Sequence, residues 1–382
     1  MKIVAAFPGV VLVLIVLWDA FETIILPRRV TRKYRLTRLF YRYTWFFWKS
    51  AGNIFFSFRR KETYMAFYGP LSIILLLSVW ALGIILGFAL LLLAAGSPIN
   101  APGETADFFT DFYLSGTTFF TLGMGDVTPI SKFARLCAVA ESGLGLGLLA
   151  IVISYLPALN QSFSRREVNI SLLDARAGSP PSAFELLRRR CHDPVGMETL
   201  FQYLSEWERW AADLLESHLS YPVLAYFRSQ HDNQSWLAAL TTILDASAFV
   251  IVGMEGACER QARLTFAIAR HAVVDLSLVF FSPPSKSRRD RLPHEDFIKL
   301  FEGLKSSGMS LQEREGIEED LAELRRMYEP YVRSLSNYLH LSVPHWFPKE
   351  IITDNWQISA WEKRLGTEKD GGSGKRDDLH FS

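Results

Sequence analysis

Cysteine is scarce in this chain. Cys137, Cys191 and Cys258 are the three cysteines in 382 residues, they lie far apart, and none belongs to a CxxC pair. A disulfide framework is therefore not expected, and a reduced compartment suits the C-terminal part. An excess of charge of one sign is also lacking: 41 Lys and Arg stand against 40 Asp and Glu, a formal net charge of +1. No global field points to nucleic acid as a partner. The 8 histidines are scattered without metal-ligand spacing. His218 lies on a mostly apolar helical face, the setting of a core histidine, and His340 and His345 straddle Pro344. Neither a strand-Gly-x-Gly-x-x-Gly-helix unit nor a run of alternating strands occurs. Dinucleotide folds and nucleotide-binding β-barrels are thus not expected. No Ser/His/Asp set can be argued from positions, and the expectation is a protein that is not an enzyme.

Long uncharged runs, by contrast, crowd into the first 160 residues. Hydrophobic residues make up 49% of the chain, more than an average soluble protein carries and fewer than one made only of spans. Ile3 to Leu26 is long enough to cross a bilayer, which takes ~20 residues. Asp19 and Glu22 stand where a cleaved signal peptide would need small residues, so the segment reads as a retained span. Arg28, Arg29, Arg32, Lys33, Arg35, Arg38 and Arg42 follow and mark its inner end. Asp19 and Glu22 either pair with this basic cluster or serve a subunit contact or gating role. Leu36 to Phe58 mixes Tyr41, Tyr43, Trp45, Trp48 and phenylalanines with Arg38, Arg42 and Lys49. That composition suits a helix lying in the headgroup layer, with a further span as the alternative. Ala66 to Ala95 carries no charge and, coming after Arg59, Arg60 and Lys61, runs from inside to outside. Glu104, Asp107 and Asp111 then place acid at the outer mouth. There they would concentrate cations or complement a helix dipole.

Asp107 to Phe120 is too short to cross and suits a re-entrant helix whose C-terminal end favours a cation. Directly after it stands Thr121-Leu122-Gly123-Met124-Gly125-Asp126. Glycines on either side of one residue open backbone conformations closed to other side chains. Successive carbonyls can then point to one side and replace an ion's hydration shell, with the Thr121 hydroxyl as a further oxygen. This hexapeptide resembles the filter of the pore-loop potassium channels, in particular the bacterial type with two spans around one loop. The family's filter reads Thr-Val-Gly-Tyr-Gly-Asp. The chain keeps the threonine, both glycines and the aspartate and departs at Leu122 and at Met124, where the family has a bracing aromatic.

The likeness covers about residues 66–165. It implies potassium as the permeant ion, bound at Thr121, Leu122, Gly123 and Met124 with Gly125 completing the filter, and Asp126 anchoring the filter behind the outer mouth. Because the motif occurs once per chain, it also implies a homotetramer, set in the lipid of the cell membrane. A weakly selective cation pore of the same architecture is one alternative. A membrane-anchored sensor or effector is the other.

Leu136 to Leu159 reads as the last span, with Glu141 as its one acid. A carboxylate there either braces the filter by a hydrogen bond or acts on the permeating ion. Gly143, Gly145 and Gly147 allow close packing or bending. Pro157 removes a donor and should kink the helix, either placing an inner gate around Tyr155 and Leu159 or bending it passively. Arg165 and Arg166 end this span and put the remainder in the cytosol. Asn169 to Leu173 reads as a short strand and Gly178 to Ser182 as a turn. Helical periodicity dominates beyond it. Leu200, Leu204, Trp207, Ala211, Leu214 and His218 share one face, and Ile317, Leu321, Leu324, Tyr328, Tyr331 and Leu335 another. Trp236 to Met254 and Leu264 to Phe281 read as buried helices of a soluble bundle.

The sequence thus describes an all-α membrane protein. An N-terminal span and basic linker (1–35) precede an aromatic, basic interfacial helix (36–65). The pore domain (66–165) contains an outer helix (66–96), a re-entrant pore helix (107–120), the filter (121–126) and an inner helix (132–160). A helical cytosolic domain (166–365) for an unidentified ligand or partner and a disordered tail (366–382) complete it.

Overall fold

The computed structural model describes residues 2–26, 35–56, 58–101, 106–189, 194–229, 234–287 and 290–347. The expected tail, Glu104 and most of the basic cluster after Pro27 lie outside these. The described residues are helical almost throughout and divide into two units, Met1–Gln161 and Ser162–Ser382.

The first unit contains α1 (Lys2–Ala20), a stretch of wider π turns (Phe21–Ile25), α2 (Leu36–Phe55), α3 (Phe58–Ala66), α4 (Tyr68–Ala94), α5 (Phe108–Phe119) and the start of α6 (Lys132–Ala177). The helices containing Ala6–Ile25, Arg60–Ala94 and Lys132–Ala177 are long and apolar enough to cross a membrane; α2 is not among them. Glycines set the approach of α1 to α4. A Cβ at Gly87 would stand 2.5 Å from Val13 Cγ2, one at Gly83 2.8 Å from Val16 Cγ2, and one at Gly9 2.8 Å from the Gly87 carbonyl. Close backbone contact of this kind replaces the hydrophobic drive that lipid cannot supply. Asp19, near the C-terminal end of α1, tightens the same pair, accepting from Trp80 Nε1 at 3.0 Å.

Asp19 also caps α2 from outside. It accepts the Thr37 backbone N–H at 3.1 Å and the Thr37 hydroxyl, occupying a donor that a helix start leaves free. Arg35 Nε lies 3.4 Å from Glu22 and 3.9 Å from Asp19, so both acids meet the basic cluster, the first of the two readings above. From this anchor α2 buries Trp45 edge-on to Tyr68 at 4.7 Å and stacks Trp48 on Tyr64 at 4.4 Å. Tyr43, Phe46, Phe47 and Ile54 face outward.

The second unit, built from the end of α6 with α7 (Ala183–Arg188), α8 (Pro194–Ser220), α9 (Trp236–Gly253), α10 (Ala257–Val279), α11 (His294–Ser306), α12 (Ile317–Arg326) and α13 (Glu329–Leu339), is organised around α9. That helix is as apolar as a span, yet every residue of it is buried inside the bundle. Asp245 at its middle is held by Arg291 through contacts of 3.1 and 2.7 Å and by the Tyr328 hydroxyl at 2.5 Å. Glu329 takes a second contact from Arg291 at 3.1 Å and one from Arg325 at 3.0 Å. The Leu200–His218 face is buried as its spacing requires.

Two expectations are corrected here. The inner helix does not end at 160, and Asn169–Leu173 is not a strand: α6 continues to Ala177 and stops at Gly178, whose φ of 82° opens the turn. Ser162, Arg166, Ile170, Leu173 and Ala177 recur at steps of three and four and are buried, so the period that wins is helical. The face drawn from Ile317 to Leu335 belongs to two helices. Pro330 offers no N–H to continue the first, and Tyr328 between them has φ −131°.

Candidate ion-conducting site

α5 begins at Asp107, whose carboxylate accepts the Thr110 N–H and the Thr110 hydroxyl, both at 2.9 Å. Those donors hold it below the usual carboxylate range. Asp107 is exposed and occupies the dipole-complementing position. Asp111 does not join it at an outer mouth. It is fully buried and accepts from the Ser97 hydroxyl at 2.6 Å, because one turn into α5 its side chain points at the loop after α4. Its Oδ1 has no hydrogen-bond partner. The same loop pairs with the chain beyond the hexapeptide: Ile99 opposes Pro129 and Asn100 opposes Thr128 in antiparallel register.

The hexapeptide leaves α5 with Leu122 N–H still donating to the Thr117 carbonyl at 2.8 Å. Its φ angles alternate in sign. Thr121, Gly123 and Gly125 have φ of 56°, 54° and 82°, while Leu122 and Met124 stay on the negative side. Positive φ at every other position is a backbone that side-chain-bearing residues rarely adopt and that glycine supplies without strain. Thr121 adopts it as a non-glycine. The side chains of Leu122 and Met124 are 63% and 68% exposed in the single chain. Asp126 accepts from the Tyr113 hydroxyl at 2.8 Å, which ties the end of the hexapeptide to the flank of α5 and keeps the Asp126 carboxyl low.

Behind α5, Glu141 on α6 is 2% exposed and contacts the Ser115 hydroxyl. Ser115 in turn lies 2.8 Å from the Ile85 carbonyl on α4. One serine thus joins the pore, outer and inner helices. Gly145 sits one turn on, where an added Cβ would stand 2.1 Å from the Phe119 carbonyl; the equivalent positions at Gly143 and Gly147 are open. Tyr155 and Pro157 lie farther along α6, which is a single helical element through Pro157. The arrangement therefore brings together the hexapeptide, Asp126, Glu141 and Gly145. It leaves Asp107, Asp111, Gly143, Gly147, Tyr155 and Pro157 apart from that cluster, and Glu104 lies outside the described residues. Sequence reading missed Tyr113, Ser115, Ser97 and Phe119. A lone serine and tyrosine at two-residue spacing in an aromatic helix was the available signal for the first two.

Residues 74–161 match the family model described as "Ion channel". Over 85 residues the chain is 36% identical to Protein LctB of Geobacillus stearothermophilus, a match covering 20% of this chain and 63% of that protein's length. No solved structure matches the chain. The matched segment takes in most of α4, all of α5, the hexapeptide and the apolar part of α6. Residues 74–161 thus form a domain similar to the pore-loop ion channels, within an all-α membrane protein.

Proposed function

We propose that the chain assembles as a homotetramer in the cell membrane and conducts potassium passively, with the second unit in the cytosol as a candidate gating domain for an unidentified ligand or partner. Dehydrated ions pass single file between carbonyl rings at Thr121, Leu122, Gly123 and Met124, with Gly125 completing the filter. One observation carries this reading: positive φ at every other residue from Thr121 to Gly125, directly after the C-terminal end of α5. A carbonyl ring needs several chains around an axis, since each contributes one such ribbon. Asp126 and Glu141 support the filter from outside and behind. Gly143, Gly145, Gly147, Tyr155 and Pro157 form the region where an inner gate would bend.

A weakly selective cation pore is the second reading, favoured by the exposed Met124 in place of a bracing aromatic. Purified full-length chain in liposomes tests both. Potassium flux abolished by Gly123→Asp is expected, and its absence from any preparation would overturn the channel assignment. Reversal potentials under opposed potassium and sodium gradients separate the readings, and Met124→Tyr should sharpen discrimination if the brace matters.

A further inference from the structure

α10 carries two patterned faces. Cys258, Ala262, Thr265, Ala269, Val273 and Leu276 are buried against the rest of the bundle. A helix packed that way needs only a polar opposite face. Instead, Leu264, Ala267, His271, Val274 and Leu278 follow one another at steps of 3, 4, 3 and 4, with Leu264 56% and Leu278 52% exposed. Steps that average 3.5 residues keep a stripe in register along a second helix, the geometry of a coiled-coil seam.

The flanking charges specify which helix. Arg263 and Arg270 precede stripe residues Leu264 and His271 on one side, and Asp275 follows His271's turn on the other. In a parallel pair of identical helices, Arg270 faces Asp275 of the second copy. An antiparallel pair would set the arginine flanks against each other. Arg270 Nε is buried with no hydrogen-bond partner in the single chain, whereas Asp275 already has His271 at 3.8 Å. The charge pattern is therefore complementary to itself in one orientation only.

We infer that α10 is a self-association helix, pairing in parallel with α10 of a second copy through Leu264, Ala267, His271, Val274 and Leu278. This rests on the multi-copy reading above, which brings copies together at high effective concentration.

In the full-length chain carrying Cys137→Ser, Cys191→Ser and Cys258→Ser, single cysteines placed at Leu264, Ala267 and, as an exposed control on α11, Glu302 are oxidised mildly in liposomes and read on a non-reducing gel. Leu264→Cys and Ala267→Cys should give covalent dimer at roughly ten times the control yield. Yields equal to the control overturn the proposal. Cross-linking seen only when Leu264→Cys is mixed with Leu278→Cys means antiparallel pairing and overturns it too. Arg270→Glu should cut the Ala267→Cys yield severalfold, and Arg270→Glu combined with Asp275→Arg should restore it; no restoration rejects the assigned orientation. Native mass of the unmodified chain separates the two proposals. An oligomer without α10 cross-links sinks the seam alone, and a single-copy mass sinks the multi-copy reading with it.

Discussion

In the second unit a carboxylate in the middle of a helix, Asp245, meets a guanidinium, and that guanidinium is shared with a second carboxylate. In the first unit a carboxylate in the middle of a helix, Glu141, meets a serine hydroxyl. Asp111, buried in the first turn of α5, likewise meets a hydroxyl, that of Ser97. Arg35 does make ion pairs in the first unit, toward the end of a span rather than along it. With the first unit in lipid and the second in water, as proposed above, the difference follows the solvent. A protein interior bordered by water can hold full charges if every one is paired and hydrogen-bonded. Inside a bilayer, cations are costlier still, and a hydroxyl or backbone carbonyl is the cheaper partner.

Removing one partner from the ionic cluster should have the largest effect. Arg291→Ala strands Asp245 and part of Glu329 and should lower the unfolding free energy of the second unit by about 3–5 kcal/mol. Thermal or denaturant unfolding of the full chain in detergent measures it. The double change Asp245→Leu with Arg291→Met should be far milder, because it removes both charges. If the double variant were as damaged as the single one, burial of charge would not be what distinguishes the units.

Backbone approach replaces charge in the first unit, and Gly145 is its sharpest point. Gly145→Ala forces α6 away from the Phe119 carbonyl and should cost about 1–3 kcal/mol, with a fall in ion flux. Gly143→Ala and Gly147→Ala, open in the single chain, should be neutral or gain up to about 1 kcal/mol from helix propensity. Equal losses at all three would instead place another copy against Gly143 and Gly147.

Glu141 tests the comparison from the other side. Glu141→Gln keeps a group able both to donate to and accept from Ser115, and should shift stability by less than about 1 kcal/mol. Glu141→Leu, which removes the contact, should cost more and loosen the filter, read as reduced flux. A penalty for the glutamine as large as that of Arg291→Ala would mean that the carboxylate's charge, not its hydrogen bond, holds the pore helix.

How much of this was readable beforehand follows the same division. The span of α4 and the alternating positive φ of the hexapeptide announce themselves because each has a local signature: an uncharged run and glycines flanking one residue. Asp111 was misplaced because its sequence position beside Asp107 says nothing of which way a helix one turn later points; Ser97, fourteen residues away, decides that. The strand assigned to Asn169–Leu173 failed because a short polar-apolar alternation looks alike in both periods until the buried positions on either side, Arg166 and Ala177, are counted in. The cluster around Asp245 was illegible for a different reason. Its members come from positions 245, 291, 325 and 329, and only tertiary packing brings them together.

At neutral pH the smallest effect concerns His218, which the sequence marked as a core histidine. Its Nδ1 contacts the Leu214 carbonyl at 2.8 Å, so Nδ1 carries the hydrogen and Nε2 faces the Arg166 guanidinium at 3.3 Å as an acceptor. Glu167 lies beyond, paired with the same arginine. Burial, then the neighbouring Arg166 charge, push the imidazole well below its ordinary 6.5. The unfolded chain therefore takes up a proton that the folded unit refuses. Stability from this site is complete above pH 6.5 and is lost as pH falls toward the folded value, by up to about 1.4 kcal/mol per pH unit. His218→Gln, whose amide can still donate to Leu214 or accept from Arg166, should remove that acid slope while costing little at neutral pH. Unfolding curves of the full chain at several pH values below 6.5 provide the check. A slope that survives in His218→Gln would show that acid acts first on the carboxylates of the ionic cluster, making the paired charges rather than the neutral imidazole the acid-sensitive element of the second unit.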